Sequence, residues 1–246
     1  MRLSPSLHRL GTSSLVNSYL VEEGGEITVV DAGLPGMWKD LRAELDAMGR
    51  SLDDVRALLL THGDVDHIGF AERLRRERGV KVWVSEPDAP LARGENKKAA
   101  PLREPMRLGP MLRFLVYGAR RGGLRSTPVA EVETFAPGAT LDVPGAPRVI
   151  ALPGHTPGSV AFHVPSLDAL FVGDALATLA VTTGATGPAL APYTADRARA
   201  LASLDALEGL EGRWILPGHG EPWTGGVAEA LRLIRAGEAP ADVPAA

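Results

Sequence analysis

The sequence predicts an α/β protein in which two sheets pack face to face with helices on the outside, and three observations point there. Short apolar runs of strand character alternate with segments of helical periodicity. Both halves of the chain read strands first and helix afterwards. The residues with metal-binding chemistry fall just after predicted strands, where α/β folds gather their ligands. The length of 246 residues allows one large domain or two small ones. The expectation is a single domain over 1–246, with an insertion at 86–128 and a frayed tail at 236–246.

The elements follow in order. Residues 14–21 and 27–30 are β-rich runs, with Glu23-Gly24-Gly25 between them as the turn of an antiparallel hairpin. After Asp31-Ala32-Gly33, the residues Trp38, Leu41, Leu45 and Met48 recur at helical spacing, and Gly49 stops that helix. Residues 57–60 form a short buried strand running into Thr61-His62. A helix over about 68–78 carries Phe70 and Leu74 on one face, and 80–84 returns as a strand. The segment 86–128 breaks this rhythm. It holds nine basic and four acidic residues, a net +5 in a chain that is otherwise −9. It is also apolar around Met106, Leu108, Met111, Leu112, Phe114, Leu115, Val116 and Tyr117, so one or two helices forming a lid are expected. Beyond it, 149–152, 160–164 and 169–172 are strands separated by Pro and Gly turns. Leu201, Leu204 and Leu207 mark a helix, 214–216 a strand and 228–234 the last helix.

Composition narrows the function. Hydrophobic residues make up 45% and charged residues 23%, which excludes disorder over most of the length. A net charge of −4 argues against a nucleic-acid binder, whose domains carry a basic face. No apolar run approaches the ~18 residues of a membrane span, and the opening residues lack the apolar stretch of a secretory signal, so a cytoplasmic protein is expected. There is no cysteine. Any metal must therefore be held by imidazole and carboxylate.

Four segments concentrate such groups: Thr61-His62-Gly63-Asp64-Val65-Asp66-His67, Pro153-Gly154-His155-Thr156-Pro157-Gly158, Val172-Gly173-Asp174 and Pro217-Gly218-His219-Gly220. They contain four of the six histidines. His62, Asp64, Asp66, His67, His155, Asp174 and His219 could then converge at one sheet edge. Seven ligands are too many for one tetrahedral zinc and suit two ions that share a carboxylate and keep a position for water. Two such cations, about 3.5 to 4 Å apart, can hold a hydroxide between them at neutral pH, which implies metal-assisted hydrolysis. His163 reads as structural or solvent-facing, and His8 has no motif around it.

Order and spacing of the four motifs resemble the metallo-β-lactamase superfamily, from Asp31 in Val-Val-Asp-Ala-Gly to His219. The resemblance implies an αββα sandwich with its metals at one edge. It also implies that His62, Asp64 and His155 bind the first ion, Asp66, His67 and His219 the second, and that Asp174 bridges them. Asp31 resembles the early aspartate of the family that helps to order the ligand loops; the other reading is a turn cap. The family's commonest motif is H-x-H-x-D-H, and Asp64 stands where its second histidine is expected. Asp64 is either a direct ligand or acts through water. As a ligand it makes the first site harder, because three carboxylates neutralise two Zn²⁺ and one hydroxide where two would leave a positive charge. Zinc is the expected metal, with manganese or iron tolerated.

The resemblance implies a dinuclear hydrolase of a small ester, thioester, lactone or related acyl substrate, with Asp66 and Asp174 in the catalytic machinery. The lid suits an anionic substrate with an apolar portion; alternatively its apolar residues pack it onto the body while its arginines stay solvated. The acyl-homoserine lactonase branch carries a tyrosine three residues after the bridging aspartate, where this chain has Ala177. A glyoxalase II-like thioesterase would carry an extended carboxy-terminal region for glutathione. A second reading needs only His62, His155 and Asp174, the facial triad of a mononuclear non-haem iron persulfide dioxygenase. A third is a non-catalytic binding protein on the same fold. The apolar lid is also a candidate homodimer surface.

Overall fold

The computed structural model describes residues 1–97 and 106–238. A seven-stranded sheet runs in chain order through β1 (Arg2–Ser4), β2 (Leu7–Arg9), β3 (Tyr19–Glu23), β4 (Glu26–Val30), β5 (Val55–Leu59), β6 (Lys81–Ser85) and β7 (Glu133–Phe135). Its first four strands form an antiparallel meander. From β4 onward the pairing is parallel, as the crossovers through α1 (Trp38–Ala47) and α2 (Ala71–Arg78) require. A second sheet has the order β13 (Trp214–Pro217), β10 (Ala169–Gly173), β9 (Val160–Val164), β8 (Arg148–Ala151). In it β8, β9 and β10 are antiparallel neighbours, and β13 returns parallel to β10 after α5 (Arg197–Ser203). The hairpin of β11 (Ala177–Leu179) and β12 (Thr186–Ala189) stands apart, and α6 (Val227–Glu238) follows β13. Within 86–128 lie α3 (Ala89–Ala92) and α4 (Leu108–Arg120); residues 98–105 of the expected lid fall outside the described residues.

Alternation along the strands sorts the apolar residues into three layers. Tyr19, Val30 and Leu59 of the first sheet meet Phe162, Phe171 and Leu216 of the second, forming the centre of the sandwich. Their neighbours Val29, Leu58 and Val82 point the other way, onto Leu41 and Leu45 of α1 and Leu74 of α2. Ala161, Leu170 and Val172 face Ala200 beside Leu204, and Leu231 and Ile234 of α6. Both sheets are thus buried on two faces, which is why their strands read as continuous apolar runs. The architecture is the α/β sandwich with outer helices that the sequence predicts.

Some boundaries differ from the sequence expectation. Residues 14–18 are not strand: the Asn17 N–H donates to Gly218 and the Leu15 carbonyl accepts from His219, so this stretch is diverted to the last ligand loop. The helix expected from 68 begins at Ala71, because the N–H groups of Gly69 and Phe70 bond back to Gly33 and Ala32. The strands β1, β2 and β7 have three residues each, too few for a period to register. The last helix runs to Glu238, through the first residues of the expected tail; 239–246 lie outside the described residues. Among the described residues no helix is long and apolar enough to cross a membrane.

Candidate metal centre

Each ligand segment follows a strand: 61–67 comes after β5, His155 after β8, Asp174 after β10 and His219 after β13. The structure brings all seven sequence-identified residues together. His62, Asp64 and His155 form one group, and Asp66, His67 and His219 another. His62, His67 and Asp174 form a third that joins the two, the donor atoms of each group lying within 4.8 Å of one another. Asp174 faces histidines of both groups. Oδ1 is 3.4 Å from His67 Nε2, while Oδ2 is 3.2 Å from His219 Nε2 and 3.5 Å from His155 Nε2. Asp64 Oδ2 lies 3.2 Å from His155 Nε2 and 3.6 Å from His62 Nε2, and Asp66 Oδ2 lies 3.5 Å from His219 Nε2. Gly218 permits this closeness, since a Cβ there would come within 2.2 Å of Asp174 Oδ1 and 2.5 Å of the His67 ring.

The four imidazoles are fixed from behind through Nδ1. His67 Nδ1 bonds to Asp31 Oδ2 at 2.9 Å, and His219 Nδ1 to the Leu15 carbonyl. Thr61 Oγ1 donates to Asp31 and so accepts from His62 Nδ1 at 3.0 Å. Thr194 Oγ1 donates to the Ala191 carbonyl and accepts from His155 Nδ1 in the same way. With every Nδ1–H committed, each ring presents its Nε2 lone pair to the centre, as metal-ligating histidines do. Among the described residues, His62 Nε2, His67 Nε2 and Asp174 Oδ1 find no hydrogen-bond partner and are buried. Orphaned polar atoms of this kind are costly in a fold unless something binds them, and this donor set fits divalent cations.

Without cations, charge balance falls to protons. Burial pushes the Asp174 carboxyl up, but His219 and His67 override it and hold it well below the usual carboxylate range. Burial opposes charge on His67 as well, yet Asp31 and Asp174 raise it well above an ordinary imidazole. His219 is pushed up to about 9, with Asp174 outweighing its burial. Cations would displace these protons, so metal binding here is linked to proton release.

Several supports carried no motif. The carboxylate of Asp88, fully buried, accepts from the Gly63 N–H at 2.9 Å, the Thr156 hydroxyl at 2.7 Å and the Gly158 N–H at 2.8 Å, tying the His62 loop to the His155 loop. Its signal in the sequence was a carboxylate just after β6, in the position of the other ligands. Asn17 Nδ2 donates to the carbonyls of Pro217 and Gly220, and the Tyr19 hydroxyl to that of Pro217, which fixes the His219 loop. Asp31 does more than cap a turn. In a left-handed conformation (φ 59°) it accepts from Thr61 N and Oγ1 as well as from His67.

A cavity of about 720 Å³ opens beside the cluster, bounded by Asp64, Asp66, His155, Asp174 and His219 on one side and by α4 on the other. Phe114 of α4 meets the His219 ring edge-on at 5.8 Å. Two of the lid's cations are paired with carboxylates, Arg93 with Glu95 and Arg121 with Asp40.

Comparison with known proteins agrees with this geometry. The family model described as "Metallo-beta-lactamase superfamily" matches residues 11–219. The chain belongs to that superfamily. A metallo-beta-lactamase family protein from Thermus thermophilus has a crystal structure similar to this one, with a TM-score of 0.69 and 26% identity, covering 97% of this chain and 81% of that one. The protein TTHA1623, crystallised in a di-iron-bound form, gives a TM-score of 0.61 and 28% identity over 91% of this chain and 95% of its own. Among curated relatives, the "Probable metallo-hydrolase YflN" of Bacillus subtilis is 26% identical over 87% of this chain and 84% of its own length. The hydroxyacylglutathione hydrolase GloC of Haemophilus influenzae is 31% identical over 50% of each chain. The match to YobT of Bacillus subtilis, at 33% identity, spans 61% of that protein's length.

Proposed function

We propose that this superfamily member is a dinuclear metal-dependent hydrolase of a small ester, thioester, lactone or related acyl substrate. In this reading His62, Asp64 and His155 hold one ion and Asp66, His67 and His219 the other, with Asp174 shared between them. One observation carries the proposal: two ligand groups lie on either side of the Asp174 carboxylate, whose Oδ2 faces a histidine of each, His155 and His219. A mononuclear triad of His62, His155 and Asp174 would leave Asp66, His67 and His219 gathered to no purpose. Bound there, divalent ions would supply Lewis acidity for the acyl oxygen and lower the pKa of water.

The chain's own residues do the rest. Asp31, Thr61, Thr194 and the Leu15 carbonyl hold the four rings in one tautomer and orientation. Asp66, with 20% of its side chain exposed, is the most accessible member of the cluster and accepts the proton that the attacking water releases. The helix α4 covers one side of the cavity through Phe114, Leu115, Gly118 and Ala119. The low net charge, the apolar cavity and the carboxylates facing it favour a small substrate over a nucleic acid.

Metal analysis of protein purified without added metal tests the proposal, together with a panel of ester, thioester, lactone, β-lactam and phosphodiester substrates. Two ions per chain and turnover of an acyl substrate are expected. One iron per chain, with oxygen consumed in the presence of a persulfide, would overturn the reading. Full metallation without any turnover would overturn it in favour of a binding protein. Asp64 as a direct ligand predicts mixed occupancy by zinc, manganese or iron; exclusive zinc at both sites would count against that role.

A further inference from the structure

Away from the ligand residues, the cavity wall is mostly apolar: Leu34, Ile68, Leu91, Phe114, Val181 and Pro192 line it, with Asn96, Ser126 and Tyr193 as its uncharged polar members. Among the described residues Lys97 is its one lysine or arginine. Val65, Leu115 and Leu124, which also line it, are 61%, 58% and 89% exposed and form an apolar rim. A space of this size and character draws hydrocarbon out of water in proportion to the area it covers.

Four glycines line the same space, and three have a reason in the fold. A Cβ at Gly63 would meet the Ala92 nitrogen at 2.8 Å, at Gly94 the Pro128 ring at 2.7 Å, and at Gly123 the Gly118 carbonyl at 3.0 Å. Gly118 has none. It lies inside α4 with ordinary helical geometry, and among the described residues a Cβ there would meet nothing within 4 Å. Glycine is a poor residue for a helix interior, so this one weakens α4 without relieving any contact. What it does is keep a side chain out of the cavity.

We propose that the cavity receives a hydrocarbon portion of the substrate, and that Gly118 sets the length it accepts. The proposal rests on the hydrolase reading for its catalytic consequence and on the cavity alone for binding. The hydrocarbon lies on the acyl or on the alcohol side of the scissile bond. Each methylene buried then raises kcat/KM by up to about fourfold until the pocket is full.

The test uses the full chain loaded with metal and two substrate series, methyl esters from acetate to decanoate and acetate esters from methanol to decanol. Calorimetric titration of octanoate and of acetate into the same protein gives a readout that needs no turnover. Expected are a stepwise rise in kcat/KM along one series, and octanoate binding at least tenfold tighter than acetate. In Gly118→Phe both ratios collapse toward one. Gly118→Ala serves as the folding control and raises the thermal midpoint, since it adds helix propensity in open space. Equal kcat/KM along both series with no preference for octanoate overturns the pocket, as does Gly118→Phe with both ratios intact. If no ester is turned over, the hydrolase reading fails, and octanoate binding still decides the pocket.

Discussion

The two walls of the cavity are held in opposite ways. On the ligand wall His62 and His67 are fully buried, and each imidazole is anchored through Nδ1 to a fixed acceptor. On the lid wall no residue of α4 is fully buried, and Leu108 and Leu112 are 83% and 55% exposed. The first wall is preorganised by hydrogen bonds that leave it little freedom. The second is a helix held by a few side chains such as Phe114 and Tyr117. In the proposed reading, reaction chemistry belongs to the rigid wall and substrate choice to the adaptable one, and the two should respond differently to mutation.

The largest effect is expected at the carboxylate on which both ligand groups converge. Asp174→Ala removes the oxygens facing His67, His155 and His219 together. Turnover should fall on the order of 10³-fold or more, the equivalent of several kcal/mol of lost charge stabilisation, and metal content should fall with it. Unchanged turnover with two ions retained would break the contrast between the walls at its strongest point.

A second effect lies behind the ligand wall. Asp88→Asn keeps the shape but exchanges an acceptor for an amide donor, which must face the N–H of either Gly63 or Gly158. The loops of His62 and His155 lose part of their common anchor. Metal affinity, measured by competition with a chelator, should weaken about 10- to 100-fold, as when other outer partners of metal ligands are lost. An unaltered affinity would show that the loops are positioned by their own backbone.

The rigid wall was also the legible one. Metal chemistry restricts residue types so tightly that His62, Asp64, Asp66, His67, His155, Asp174 and His219 stand out as letters, and the strand-end placement of their segments says they can meet. The sandwich was legible because its strands are buried on both faces and its helices on one. What supports the ligands was not legible. Asp88 stands just after a strand as the ligands do but in no motif, and Asn17 and the Leu15 carbonyl act from a distant segment where nothing local marks them. In the lid, composition suggested cations facing an anionic substrate; Arg93 and Arg121 are paired with Glu95 and Asp40, while Lys97 lines the cavity. Charge counted along a segment does not say which way it points.

On the lid wall the expected effects are smaller and of another kind. Phe114→Ala removes a half-buried ring from the cavity and from the edge of His219. KM should rise several-fold, about 1 kcal/mol of apolar contact, with kcat nearly unchanged. A fall in kcat equal to that in kcat/KM would place Phe114 with the ligand wall. Leu112→Ser, exposed and outside the cavity lining, should change stability by no more than about 0.5 kcal/mol.

The smallest effect is expected far from both walls. The Glu44 carboxylate, on α1, takes the amino-terminal ammonium at 2.6 Å and His8 Nδ1 at 2.7 Å, pinning β1 and β2 to the helix. Burial raises its pKa, but the ammonium and His8 outweigh it, and the folded value lies below the ordinary 4.5. A carboxyl depressed in this way stabilises the fold above its unfolded pKa, and that contribution is lost as pH falls through the folded value. Wild-type protein should therefore lose thermal midpoint on acidification below about 4.5, and Glu44→Gln should make that loss shallower while lowering the midpoint slightly at neutral pH. Metal content and kcat should not change, because the Glu44 carboxylate is bonded to Met1 and His8, which belong to neither wall. A Glu44→Gln variant with altered metal content would mean that the meander carries strain to the ligand loops, and the division of labour would have to include the outer helix.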